Sequence, residues 1–155
     1  MSGFRLASGG SVDRSRSLGF VFNGMSRTGF SGDTLASALV AAGIDTVARS
    51  FKFHRPRGIF SAGVEEPNAY VRLMAPHDEP NVLATTLPLV DGLQAASQNC
   101  WPTVEFDLGA TADALHALLP AGFAYKTFMS PPGAWPWYER MIRRAAGIGK
   151  APRRI

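Results

Sequence analysis

The side chains in this sequence that could do chemistry are few, and most lie in one stretch. From Arg49 to Asn68 runs RSFKFHRPRGIFSAGVEEPN, which carries the cations Arg49, Lys52, Arg55 and Arg57, the imidazole of His54, the adjacent carboxylates Glu65 and Glu66, and the interleaved rings of Phe51 and Phe53. A loop of this length could hold a two-iron, two-sulfur cluster, whose thiolates follow C-x4-C-x2-C with a distant fourth cysteine. Counted as one residue short of that spacing, the segment puts Ser61, Glu65 and Asn68 where thiolates would stand, with Ala84 near the fourth. Hydroxyl, carboxylate, amide and methyl groups do not replace thiolates on a soft iron–sulfur core. Glu65 and Glu66 could in principle do acid–base work, but neighbours in a loop tend to point apart. They read as braces of the loop together with Asn68, as salt links to Arg55 or Arg57, or as plainly solvated carboxylates.

The remaining candidates are weaker. His54, His77 and His116 are too scattered for a zinc site; His54 reads as a hydrogen-bonded loop residue and His116 as a surface residue. Cys100, the only cysteine, excludes an intramolecular disulfide and a four-cysteine metal site. It has no adjacent base, so it reads as a buried or interfacial small residue. Arg49, Lys52, His54, Arg55 and Arg57 with their two phenylalanines fit a nucleic-acid patch. They fit better a strand with Phe51 and Phe53 inward and charges outward. No G-x-G-x-x-G follows a strand here, so a Rossmann site is not supplied by this sequence.

These residues must be positioned by short elements. GSVDRSRSLGFVFNGMSRTGF alternates Leu18, Phe20 and Phe22 on one face and turns at Asn23-Gly24, which predicts a β-hairpin. SGDTLASALVAAG predicts a helix capped by Ser31 or Asp33 and ended by Gly43, with Leu35, Leu39 and Ala42 as its buried stripe. TVARSFKF reads as a strand, HRPRG as a loop and NAYVRLM as a strand. NVLATTLPLVDGLQAASQN reads as two extended pieces joined by an Asp91-Gly92 turn. TADALHALLP predicts a short amphipathic helix. Trp135, Trp137, Tyr138 and Met141, with Ile142, follow in an aromatic and then basic segment that reads as an arm docking on another surface. At 155 residues, 46% hydrophobic and 18% charged, the chain can build a core and is not of disordered type. Its net charge of +4 permits an acidic partner without naming one. There is no signal-type apolar region and no run near the roughly 18 apolar residues of a membrane span. A cytoplasmic protein is expected.

Hairpin, helix and further strands in this order predict an α+β fold, a ferredoxin-like β-grasp with one helix laid on a mixed sheet. The expected division is a β-grasp domain without a cluster over residues 1–108 and a helical, aromatic extension over 109–155.

The blocks GDTLASALVAAG, RSFKFHRPRG, GVEEPNA, ATTLPLVDGLQAASQN, YKTFM and YERMIRRAAGIGKAP resemble, in order and spacing, the N-terminal region of the α subunit of heterotetrameric sarcosine oxidase. The resemblance runs from about Gly10 to Pro152. It implies a complex that oxidatively demethylates sarcosine with tetrahydrofolate as acceptor. FAD and FMN belong to its β subunit or to that subunit's contact with α. NAD and folate belong to Rossmann and aminomethyltransferase-like domains, and zinc to a small subunit. None of those ligand positions falls on this sequence, so no catalytic, cofactor or metal residue is carried over and no self-contained active site is expected. The implied role is a non-catalytic structural piece of an amine-oxidising complex, with flavoprotein and Rossmann/aminomethyltransferase-type partners. The expected interface residues are Arg49, Lys52, His54, Arg55, Arg57, Trp135, Trp137, Tyr138 and Met141. The alternatives are a [2Fe–2S] electron-transfer subunit of an amine dehydrogenase, and a basic nucleic-acid-binding module.

Overall fold

The computed structural model describes residues 4–114, 130, 131 and 133–146. Strand β1 (Asp13–Phe22) turns into β2 (Met25–Ser31), and helix α1 (Leu35–Ala41) follows. Next come β3 (Thr46–Arg49), β4 (Pro56–Gly58), β5 (Tyr70–Ala75), β6 (Glu79–Leu83) and β7 (Leu93–Ala96). A 3-10 turn (Leu108–Ala110) leads into α2 (Thr111–Ala114), and α3 spans Trp135–Ala146. Five strands form one sheet in the order β2-β1-β7-β5-β6, and β3 and β4 form a separate two-stranded ladder. The centre of the sheet is the parallel pair β1 and β7, with Phe20 opposite Leu93; the other pairs are antiparallel. A hairpin, a helix across the sheet and a last strand returning parallel to the first make the β-grasp expected from the sequence.

Local chemistry explains the elements. Asn23 and Gly24 both take positive φ, 52° and 76°, as a two-residue hairpin turn requires. Leu35, Ala36, Ala38 and Leu39 of α1 are buried against Phe20, Phe22, Val71, Leu73, Leu93 and Ala95 of the sheet. The alanines keep the helix narrow. Gly29 sets the approach, since a Cβ there would overlap Leu89 and crowd Ala38.

The cap of α1 differs from the expectation. Thr34, not Ser31 or Asp33, is the N-cap, in a capping box with Ser37. Asp33 lies just outside the helix and is buried. It accepts from Phe30 N–H (2.9 Å), Ser37 Oγ (2.7 Å) and both Arg5 terminal nitrogens (3.2 and 2.7 Å). Gly43, at φ 77°, ends the helix as expected, while Ala42 is only half-buried. The free amides of the first turn, Leu35 and Ala36, donate to the carbonyls of Leu87 and Ala84. The segment after β6 is thereby tied to the start of α1.

Two other expectations are corrected. The strand TVARSFKF stops at Arg49, and residues 51–53 form a turn. The HRPRG segment is not all loop, because Pro56–Gly58 pairs with β3. Most of TADALHALLP, including His116, lies outside the described residues. Among those residues, no helix is long and apolar enough to cross a membrane.

Candidate functional site

The segment between β4 and β5 is the loop expected to resemble a cluster site. Phe60 and Val64 are each 82% exposed and Glu65 faces solvent, while Glu66 is 1% and Ala69 0% exposed. The sequence-based register is therefore off by one: Glu65 points out, and Asn68 points toward Arg57, whose Nη1 donates to Asn68 Oδ1 at 2.7 Å. Laid from Ser61 without a deletion, C-x4-C-x2-C falls on Ser61, Glu66 and Ala69. Across from them Ala84 N–H donates to Ala69 O at 2.9 Å, and the side chain that reaches the loop is that of Thr85, its Oγ1 donating to Gly63 O at 2.7 Å.

Of the two expected roles, Glu66 takes that of a loop brace rather than a salt link to Arg55 or Arg57. Its Oε2 accepts from Phe60 N–H (2.6 Å) and Ser61 N–H (2.5 Å), and its Oε1 from Asn68 N–H (2.7 Å) and Ala69 N–H (3.3 Å). Burial opposes ionisation of this carboxyl, but the four amide bonds outweigh it and hold its pKa below the ordinary glutamate value. Two hydroxyls, a carboxylate and a methyl group at the four positions do not fit a [2Fe–2S] cluster, and the carboxylate already takes the amides that face the loop interior.

The basic run divides into internal clamps and exposed cations. Arg49 is a clamp: Nε donates to Val104 O (2.8 Å), Nη1 to His54 O (2.9 Å) and Nη2 to Glu105 O (3.3 Å). Arg55 pairs with Asp113 at 2.8 Å. The Phe53 ring does not simply point into a core; Lys52 and Arg55 lie over it at 4.6 and 5.0 Å. Phe51 is 56% exposed, so the inward pair expected from alternation does not form.

Asp107 ties the run to the segment after β7. Its Oδ2 lies 2.7 Å from His54 Nδ1, and its Oδ1 accepts from Trp101 N–H (2.9 Å) and Gly109 N–H (3.1 Å). Burial works against its charge, yet these bonds keep its pKa below the ordinary aspartate value. An ionised carboxylate only accepts, so Nδ1 of His54 carries the proton that it donates. His54 holds a left-handed backbone, φ 53°, fixed by its N–H to Ser50 O (2.9 Å) and by the Arg49 contact to its carbonyl. Gly109 is required beside it, because a Cβ there would run into the imidazole ring. Cys100 is half-buried, and burial first, then the charges of Asp107 and Glu105, raise its thiol pKa. That is the setting of an unreactive thiol.

The other expected contact surface lies on α3. Trp137 and Met141, four residues apart, share a face and are 61% and 42% exposed. Tyr138 packs edge-on to Trp137 at 5.2 Å and donates to Ser130 O, and Trp135 is half-buried. Arg143 and Glu139 pair along the helix at 2.8 Å.

Residues 15–100, more than half of the chain, match the 2Fe-2S iron-sulfur cluster binding domain family. The chain belongs to this family. Sarcosine oxidase subunit alpha of Rhizobium meliloti (strain 1021) is 54% identical over 153 residues, covering 97% of this chain and 16% of the relative. Sarcosine oxidase subunit alpha of Corynebacterium sp. (strain U-96) is 43% identical over 91 residues, covering 56% and 9%. A crystal structure of L-proline dehydrogenase from P. horikoshii superposes with a TM-score of 0.47 at 22% identity, covering 59% of this chain and 17% of that one. The resemblance to the sarcosine oxidase α subunit read from the sequence blocks stands, and the chain spans about a sixth or less of these curated relatives. Sequence reasoning did not find Glu66 as an inward residue, nor Asp107 and Asp113 as partners of the basic run. The family spacing counted from Ser61 would have found the first. The other two come from segments more than 50 positions away and leave no local pattern.

Proposed function

We propose that this chain is a non-catalytic structural piece of a sarcosine oxidase-like, amine-oxidising complex. Oxidative demethylation belongs to flavin-bearing partners, and Rossmann and aminomethyltransferase-type units complete the assembly. FAD, FMN, NAD, tetrahydrofolate and zinc are held by those other domains or subunits, and this chain holds no cluster. The observation that carries the reading is the 54% identity to a sarcosine oxidase α subunit along 97% of the chain. It is supported by a loop whose donor set suits no iron–sulfur core. Residues 1–108 act as the scaffold and 109–155 as the extension, in the cytoplasm. Lys52, Arg55 and Arg57, together with Trp135, Trp137, Tyr138 and Met141, supply the contact surface, while Arg49 and His54 shape the loop that presents it. Exposed aromatic and arginine side chains are the types enriched at protein interfaces.

The test is co-expression of the chain with the flavin-binding subunit of a sarcosine oxidase. The expected result is co-elution on size exclusion, with no sarcosine turnover by the chain alone. Failure to associate, or turnover by the isolated chain, contradicts the reading.

A further inference from the structure

Ser61, Glu66 and Ala69 stand at the spacing of cluster ligands, and Thr85 Oγ1 reaches the same loop through Gly63 O. Glu66, Ala69 and Thr85 are 1%, 0% and 3% exposed, and Ser61 Oγ is shielded from solvent. Loops that hold iron–sulfur clusters turn successive backbone N–H groups onto an anion, as phosphate-binding loops do. Here Phe60, Ser61, Asn68 and Ala69 aim four N–H groups at one carboxylate, two at each oxygen. A carboxylate fills this role because it is negative and purely an acceptor, with a lone pair for every donor.

We propose that the loop is an anion nest whose resident anion is the chain's own Glu66 carboxylate, standing where the charge of the cluster would sit. The loop keeps its fold because charge and acceptors are replaced together, while the redox centre is given up. Two consequences follow from the bonding. An amide at position 66 turns a donor toward two N–H groups, so Gln is no substitute. A methyl at position 66 leaves an empty four-donor nest that a small external carboxylate can enter.

The experiment is a thermal melt of the full chain and of Glu66→Ala in sodium formate and, separately, in formamide. Glu66→Ala is expected to lower the midpoint by on the order of 10 °C. Formate should recover part of that loss by binding the folded state, with no comparable gain for the wild-type chain. Formamide, of the same shape without the charge, should not. A variant as stable as wild type overturns the proposal, and so does a response to formate no larger than that of the wild-type chain or matched by formamide. Should Glu66→Ala not fold, carboxyl NMR titration of the wild-type chain decides. A Glu66 midpoint well below the ordinary value of about 4.3 supports the nest, and an ordinary midpoint overturns it.

Discussion

Three buried carboxylates, Asp33, Glu66 and Asp107, tie segments of this domain together, Asp33 at the β2–α1 junction and Glu66 and Asp107 in loops, each collecting N–H or hydroxyl donors. All three have pKa values below the ordinary range, because their hydrogen bonds outweigh the burial that opposes ionisation. They therefore bind protons more weakly in the folded than in the unfolded chain. Their stabilisation is fully present above the unfolded values of about 4 and is lost as pH falls through the lower folded values. Denaturant melts should show stability flat near neutrality and falling below about pH 4. Asp33→Asn, which also loses the charge paired with Arg5, should flatten that fall; an acid limb unchanged in the variant contradicts the assignment. Asp107→Ala strands the amides of Trp101 and Gly109 and frees His54 from its partner. It should cost about 2 kcal/mol in denaturant unfolding. A variant within experimental error of wild type would show that Asp107 is not the tie between His54 and the segment after β7.

At the scale of elements, apolar alternation marks the hairpin through Phe20 and Phe22, and helical spacing marks α1 through Leu35 and Leu39. Leu39→Ala opens the core and should cost about 3 kcal/mol, read from the urea midpoint. A loss much below that means the helix is not seated on the sheet as described. What the sequence did not reveal has specific causes. Thr34 took the cap because Asp33 is held by Arg5 and Phe30 from outside the helix. The alternation of Phe51 and Phe53 imitates a strand, but Ser50 O receives the His54 N–H and closes a turn instead. The loop register slips by one because the sequence reading assumes a one-residue deletion; C-x4-C-x2-C counted from Ser61 without it reaches Glu66, and burial of Glu66 rather than Glu65 agrees. That register is testable. Ser61→Cys, Glu66→Cys, Ala69→Cys and Thr85→Cys combined should take up a [2Fe–2S] centre on reconstitution, followed by visible absorption. The set built on Glu65, Asn68 and Ala84 instead should not. The reverse outcome refutes the register.

At the scale of the whole molecule, the chain is a β-grasp of the 2Fe-2S domain family whose loop between β4 and β5 carries no thiolate. The proposed interface includes the Trp137–Met141 face of α3, where both side chains are exposed. Trp137→Ala should weaken association with a flavin-bearing partner at least tenfold, as loss of a buried aromatic anchor does. It should leave the melting temperature of the isolated chain unchanged. Equal affinity in the variant would remove α3 from the interface. The most direct measurement of the central claim is anaerobic incubation of the full wild-type chain with ferrous iron and sulfide, followed by desalting, iron analysis and visible spectroscopy. The account predicts a colourless protein without stoichiometric iron, because Glu66 already occupies the nest. A stable [2Fe–2S] spectrum from the unaltered chain would contradict it.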